Sequence, residues 1–379
     1  MPRLKTGENV WDAAIGRMVE LYEQGHRIVV SFSGGKDSGV ALEICIIAAS
    51  ITNRLPVEVI MRDEEIMFPG TFEYAERIAK RPEVSFHWIY ACQPILNVFN
   101  REEPFWWVFD PLLDPEQWVR QPPARAYKIP DMSISRMTIP ERFPPAPGKK
   151  LYAVIGLRVA ESRARMYGLF SSGGHITKEN EYGVANVRPI YDWSDGDIWK
   201  ALSDNKWDYN SAYDVMYRLG VPRKNLRIAP PTMNASGVEH LAMAERAFPK
   251  WFEKVCKRLP GTRTAAHYGK RVVQPYRQVG ETWEQCFKRT CIDTAPQWIK
   301  DRAIYASTRI VSTHSVHSTY PLPEVTPCYM CQGNAGSWKK LAEGCYNGDP
   351  FHQKVWLLPE VEPEFFRPGT GKWGGKPTW

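Results

Sequence analysis

Along the first ninety residues, apolar positions recur with two alternating periods. Residues 11–24 place Trp11, Ala14, Ile15, Met18, Val19 and Tyr22 at helical spacing, and Gly25-His26 closes the pattern. The apolar run at 27–32 reads as a buried strand, 37–49 as a helix and 57–61 as a second strand. Phe68-Pro69-Gly70-Thr71 turns into a helix over 72–80, and the aromatic, alternating stretch 85–90 is a third strand. Strand, helix, strand, helix, strand at these lengths predicts an α/β fold with a parallel sheet and right-handed crossovers. Residues 94–147 break the rhythm: they are rich in proline and tryptophan and read as an insertion over the sheet's edge or mouth. A strand resumes at 151–155, and Ser194-Asp195-Gly196-Asp197 caps a helix to about residue 203. Helical patterns follow at 209–219, 238–258 and 283–288, and the tail from Pro359 has none. The expected organisation is a nucleotide-binding domain over 1–220, a mainly helical region over 221–358 and an irregular tail over 359–379.

Composition narrows the class. With 379 residues, 43% hydrophobic and 24% charged, the chain matches a soluble globular protein. No apolar run reaches bilayer length, and the first five residues lack the apolar core of a signal peptide. A cytoplasmic location without membrane contact is expected, and its reducing conditions disfavour disulfides among the eight cysteines. The net charge of +7 suits an anionic nucleotide as well as a nucleic acid. Several of the 15 tryptophans (Trp106, Trp107, Trp118, Trp338, Trp373) lie in polar, proline-rich surroundings, either anchoring loops or stacking on bases.

The chemistry is most legible directly after the first strand, in Ser31-Phe32-Ser33-Gly34-Gly35-Lys36-Asp37-Ser38. Adjacent glycines let the main chain approach a ligand. Successive N–H groups then point into one concavity at the positive end of a helix. Ser33 and Ser38 add hydroxyls, and Lys36 adds a point charge for a phosphate oxygen. The spacing is not that of a Walker A loop, because Asp37 separates Lys36 from Ser38. Two further segments leave strand ends, where ligands of open parallel sheets bind. Met61-Arg62-Asp63-Glu64-Glu65 offers backbone to an adenine edge and carboxylates to Mg²⁺ or a ribose. Gly156-Leu157-Arg158-Val159-Ala160-Glu161-Ser162-Arg163-Ala164-Arg165 offers close approach at Gly156 and guanidinium forks at Arg158, Arg163 and Arg165. The plain alternative there is a solvated helix start with Glu161 pairing Arg165.

These segments resemble the phosphoadenosine-phosphosulfate (PAPS) reductase and ATP pyrophosphatase superfamily. The loop is similar to its Ser-Gly-Gly-x-Asp-Ser pyrophosphate loop, and 156–165 to its Gly-x-Arg-x-x-Glu-Ser-x-x-Arg segment. Residues 65–71 resemble its acidic-Phe-Pro-x-Thr segment, and Pro189, Trp193, Asp197 and Trp199 its Pro-x-x-x-Trp-x-x-x-Asp-x-Trp segment. The resemblance covers about residues 25–220 and implies an adenine nucleotide alpha hydrolase-like fold. It implies nucleotide binding by Ser33, Gly34, Gly35, Lys36, Asp37, Ser38, Gly156 and Arg158; the reading of the strand-end segments adds Ser31, Met61, Asp63, Arg163 and Arg165 to the nucleotide site, with Lys36, Asp37 and Arg158 expected to be catalytic. The family's Glu-Cys-Gly-Leu-His reductase motif is missing; the nearest string is Glu343-Gly344-Cys345-Tyr346. In this the chain looks like divergent members such as the DNA-phosphorothioation enzymes and phage- or island-borne relatives.

Cys328-Tyr329-Met330-Cys331 is a tight Cys-x-x-Cys, and Cys286 with Cys291 forms a wider pair. Together they suit a [4Fe–4S] cluster or Zn²⁺, with His314 and His317 able to replace one pair at a zinc ion. The expected function is an enzyme that uses ATP and Mg²⁺ to adenylate a substrate, such as a nucleic acid, for sulfur transfer from a donor protein. The alternatives are reduction of 3′-phosphoadenylyl sulfate with Cys345 as nucleophile, or a nucleotide-binding regulator without turnover.

Overall fold

The computed structural model describes residues 7–130, 139–228, 241–334, 336–349 and 366. It divides into two compact units: 1–93 with 109–230, and 94–108 with 231–379. The stretch read from sequence as one insertion is thus shared between them.

The first unit opens with helix α1 (Val10–Glu23), capped by the Asn9 side chain, which accepts from the Trp11 N–H at 2.7 Å. Then follow β1 (Arg27–Ser31), α2 (Lys36–Ile51), β2 (Val57–Arg62), α3 (Thr71–Ile78) and β3 (Val84–Tyr90). Each matches its expected element to within about three residues. A hairpin of β4 (Gln93–Leu96) and β5 (Phe105–Val108) opens the second unit's first segment. The first unit resumes with β6 (Tyr127–Lys128), the short α4 (Ile139–Arg142), β7 (Leu151–Val154), α5 (Arg163–Ser171), β8 (Val184–Val187), α6 (Asp195–Asp204) and α7 (Ala212–Arg218). Its six strands run parallel in the order β6-β3-β2-β1-β7-β8. The chain moves outward from β1 through β2 and β3 to β6, then returns to place β7 on the other side of β1. Val30 therefore pairs with Val59 on one side and Val154 on the other.

Both faces of the sheet are covered, so its strands read as nearly continuous apolar runs. Val30, Val59, Met61, Trp88 and Val154 face the larger core with α1, α2 and α6; Val29, Ile60, Ile89, Ala153 and Leu151 face the smaller one with Phe143. The segment 189–199 closes the larger core. Trp193 is buried and donates its indole N–H to the Val10 carbonyl at 2.9 Å, while Asp192 accepts both Arg17 Nη atoms at 3.1 and 2.6 Å. Trp106 and Trp107 are buried as well, and half-buried Trp118 donates to the Asp110 carbonyl. These three anchor chain segments instead of forming a stacking surface; Trp338 packs beside a buried cluster, and Trp373 lies outside the described residues.

In the second unit the helices are α8 (Leu241–Ala247), α9 (Pro249–Arg258), α10 (Thr262–Tyr268), α11 (Lys270–Val273), α12 (Trp283–Phe287), α13 (Gln297–His317) and α14 (Trp338–Cys345). The single helix expected over 238–258 is two, because Phe248, preceding Pro249, leaves the helical region at φ −136° and ψ 59°. Residues 238–240 and most of the tail from Pro359 lie outside the described residues. The 21-residue α13 escaped the sequence reading. Its buried stripe runs Trp298, Arg302, Ala306, Ile310, His314, and the two polar members hide the apolar period. No described helix is long and apolar enough to cross a membrane.

Two predictions follow from this packing. A Cβ on Gly156 would lie 2.6 Å from the backbone of Asp37 and Ser38, which a helix start cannot yield cheaply. Gly156→Ala is expected to destabilise the first unit by about 1–3 kcal/mol, read as a lowered urea midpoint. In the second unit, Arg289 donates to Glu281 through Nε at 2.7 Å and Nη2 at 2.8 Å, holding that carboxyl down at about 2. A depressed carboxyl stabilises the fold above its unfolded value and loses that contribution as pH falls through the folded one. The urea-midpoint gap between the natural chain and Glu281→Gln should be full above about pH 4.5 and vanish towards about pH 2.

Candidate nucleotide-binding site

The loops leaving β1 and β7 meet because those strands are neighbours and the chain reverses between them, which is the switch point where such sheets bind ligands. Gly34 adopts φ +71°, and a Cβ there would lie 2.4 Å from the Thr71 methyl, so the turn admits only glycine. Ser38 closes the loop internally. Its hydroxyl donates to the Gly35 carbonyl at 3.0 Å and accepts from the Ser33 N–H at 3.2 Å; the two serine hydroxyls are 3.0 Å apart. Gly35 is the N-cap of α2 and provides no side-chain cap, so the first turn presents N–H groups at the positive end of the helix. Ser31 is the last residue of β1, below this turn.

Two cations sit side by side at the helix start. Lys36 is 3% exposed, and its ammonium lies 3.1 Å from Asp37 Oδ2, 3.6 Å from Asp195 Oδ1 and 3.3 Å from the Leu226 carbonyl. Arg158, 4% exposed, donates through Nε to Asp37 Oδ1, and its Nη2 lies 3.5 Å from Asp195 Oδ1 and 3.6 Å from Glu161. Asp37 thus holds one cation on each oxygen, while the half-exposed Asp195 contacts both loosely. Water is largely excluded, so each charge acts at far greater strength than on the surface.

The other expected arginines divide. Arg165 pairs with Glu161 one helical turn back, and Arg163 is exposed on α5, so neither joins the buried pair. Gly156 makes a close approach of a different kind from the one expected: it admits the backbone of α2 rather than a ligand. Met61 is fully buried in the core. Asp63 is committed within the fold: Oδ1 accepts from the Glu65 N–H at 3.0 Å and from Arg120, and Oδ2 from the Trp88 indole at 3.1 Å. Its carboxylate is therefore not presented to Mg²⁺ or a ribose, and the carboxylates beside the cations are Asp37 and Asp195. Burial pulls Arg120 down to about 10, so it remains charged opposite Asp63. Glu65 accepts the Phe109 and Val119 N–H groups at 2.7 and 3.0 Å and ties that segment to the sheet.

Three site residues were not singled out from sequence. Tyr213 accepts the Lys36 N–H at 3.0 Å, and burial pushes its phenol well up, so it stays a neutral hydroxyl. Asn210 donates to the Gly34 carbonyl at 3.1 Å and the Thr71 hydroxyl at 2.8 Å, clamping the loop to α3. Asp195 read only as part of a helix cap; in fact Ser194 caps with Asp197, which leaves Asp195 to face the cations. Nothing in residue type alone marks the first two, which reach the loop from 177 and 176 positions away. Beside the loop, Trp199, Tyr213, Asp214, Tyr217, Arg223 and Leu226 line a cavity of about 200 Å³.

The cysteines of the second unit do not form one group. His314, Cys328 and Cys331 bring their donor atoms within 4.8 Å of one another. Cys286 and Cys291 are not in that group: Cys291 packs beneath α14, facing the Ala342 carbonyl, and burial pushes its thiol up to about 12. Cys286 is also buried and faces the Tyr276 carbonyl. Cys345 is wholly buried, which removes the candidate nucleophile of the reductase alternative from solvent.

The uncharacterized protein YbdN of Escherichia coli is 27% identical over 281 residues, covering 69% of this chain and 68% of its own length. The uncharacterized protein MJ0973 of Methanocaldococcus jannaschii is 26% identical over 234 residues, 61% of this chain and 48% of that relative. This chain therefore spans about half the length of the second relative. Among solved structures, FMN adenylyltransferase from Candida glabrata aligns over 54% of this chain and 57% of its own at 14% identity and a TM-score of 0.36. The phosphate complex of PAPS reductase from Candida auris aligns over 56% and 93% at 14% identity and a TM-score of 0.31. The U34-tRNA thiolase NcsA from Methanococcus maripaludis, with its [4Fe–4S] cluster, aligns over 68% and 80% at 12% identity and a TM-score of 0.31. A model of the phosphoadenosine phosphosulfate reductase domain matches residues 27–220, from the start of β1 to just beyond α7 and just over half the chain; the protein belongs to that family.

Proposed function

We propose that the chain binds ATP with its phosphates on the Ser33–Ser38 turn and splits it at the α-phosphate. An acceptor oxygen attacks the α-phosphorus, the bond to the bridging oxygen breaks, and pyrophosphate leaves with the electron pair. The observation that carries this reading is the buried pair Lys36 and Arg158, set at the N-terminal start of α2. Such a pair stabilises charge spreading over a phosphoryl group and needs little rearrangement to do so. Asp195, which contacts both cations only loosely, is the carboxylate that would hold a Mg²⁺ arriving with the nucleotide. The outer sulfur of a protein persulfide then attacks the activated carbon of the acceptor and displaces AMP, and a second thiol of the donor protein attacks the inner sulfur, forming a disulfide in the donor and releasing the thiolated acceptor. A nucleic-acid acceptor suits the exposed Arg163, Tyr167 and Phe170 of α5, which combine charge with rings that stack on bases. ATP is favoured over 3′-phosphoadenylyl sulfate because the reductase motif is missing and Cys345 is buried.

The test is a pyrophosphate-release assay with ATP, Mg²⁺ and a panel of RNAs and DNAs, beside titrations with ATP and 3′-phosphoadenylyl sulfate. Release of one pyrophosphate per AMP, with Lys36→Ala and Arg158→Ala each slower by about 10²–10³-fold, is the expected result. Tighter binding of 3′-phosphoadenylyl sulfate with sulfite formation would replace this reading by the reductase one. Tight ATP binding with no pyrophosphate from any acceptor would leave a regulator. Asp195 competes with phosphate for both cations, so Asp195→Asn is expected to bind metal-free ATP more tightly by calorimetry, yet turn over more slowly with Mg²⁺.

A further inference from the structure

We propose that His314, Cys328 and Cys331 form a single-ion zinc site that fastens the loop after α13 within the second unit. His314 occupies the last turn of α13 and is 4% exposed. Its Nε2 lies 2.9 Å from the Tyr320 carbonyl. A carbonyl only accepts, so Nε2 carries the hydrogen and the neutral ring presents its lone pair at Nδ1. That atom lies 3.3 Å from Cys331 Sγ. A ligating histidine almost always donates its other N–H to such an oxygen, which orients the ring and fixes its tautomer.

The two cysteines approach on a tight turn. Cys331 donates its N–H to the Cys328 carbonyl at 3.4 Å. Cys328 also donates its N–H to the Gly336 carbonyl at 3.2 Å, closing the base of the turn. Tyr329 and Met330 at the tip are 88% and 58% exposed, whereas Cys331 is 4% exposed. Cys331 is thus buried and Cys328 partly buried, while the two residues between them face water.

Distance selects the kind of metal. With zinc bonds of about 2.3 Å to sulfur and 2.0 Å to nitrogen, tetrahedral ligand atoms lie roughly 3.5–3.8 Å apart. All three donors fall within 4.8 Å of one another, and one pair is at 3.3 Å. A [4Fe–4S] cluster binds each protein ligand through a different iron, which spreads the ligand atoms much farther. Mixed imidazole and thiolate donors are a zinc set. His317, the other histidine suggested by spacing, is exposed and outside the group.

The full-length protein, purified without added metal, is expected to carry about one zinc per chain by elemental mass spectrometry. Zinc should be lost in Cys328→Ser, Cys331→Ser and His314→Gln, retained in Cys286→Ser and Cys291→Ser, and retained in His314→Cys, which restores a donor. Titrating chelator-treated natural protein with Co²⁺ gives a readout that does not depend on any variant folding. Intense tetrahedral d–d bands and a thiolate charge-transfer band, both bleached by Zn²⁺, are expected. Iron with matching sulfide, a dependence on Cys286 or Cys291, a Cys328–Cys331 disulfide in place of metal, or no Co²⁺ spectrum would each overturn the proposal.

Discussion

How closely β7 brings its loop to the start of α2 governs the nucleotide end of the first unit. Gly156 has no side chain, so the strand end rests against the Asp37–Ser38 peptide. That approach lets Arg158 reach Asp37 from one side while Lys36 reaches it from the other. One carboxylate then holds two buried cations that would otherwise repel. The pairing orients both in a place where an isolated charge would be costly. The parallel sheet makes the approach possible by setting β7 beside β1.

Around this point the rest of the unit acts as support. Asn210 and Tyr213 fix the loop through its backbone, and Asp192 and Trp193 bind the segment carrying Asp195 to α1. Asp63 and Glu65, at the end of β2, spend their carboxylates on Arg120, Trp88 and the backbone of residues 109 and 119. Acidic residues at a strand end thus serve two different ends here: those after β2 hold the fold, while those at α2 and α6 face the cations.

The second unit follows a different logic. Its helices are short apart from α13, and its buried stripe includes Arg302 and His314. Arg302 donates through Nε to the Gly348 carbonyl at 2.7 Å and through Nη2 to the Asp349 carbonyl at 3.0 Å, which holds a guanidinium inside a helical core. Cysteines there divide into buried thiols that pack and a pair turned towards a histidine.

Much of the fold was legible from the chain alone. Covered on both faces, β1, β2 and β7 are largely apolar, and the glycine turn, the arginine segment and the Phe-Pro-Gly-Thr turn each sit directly after or between periodic elements. Local chemistry dictates such features, so the phosphate loop and its cations could be named in advance. Strand β8 and helix α13 could not, because one is short and the other carries polar residues on its buried stripe. Nor could sequence reveal that Asp63 turns inward or that Asn210 and Tyr213 grip a loop 176 and 177 positions away, or decide whether His314 or the pair Cys286 and Cys291 lies beside Cys328. Those assignments depend on which side chains meet after the chain has crossed back on itself. Residue type and spacing limit what a group can do; only the tertiary arrangement decides which partner it finds.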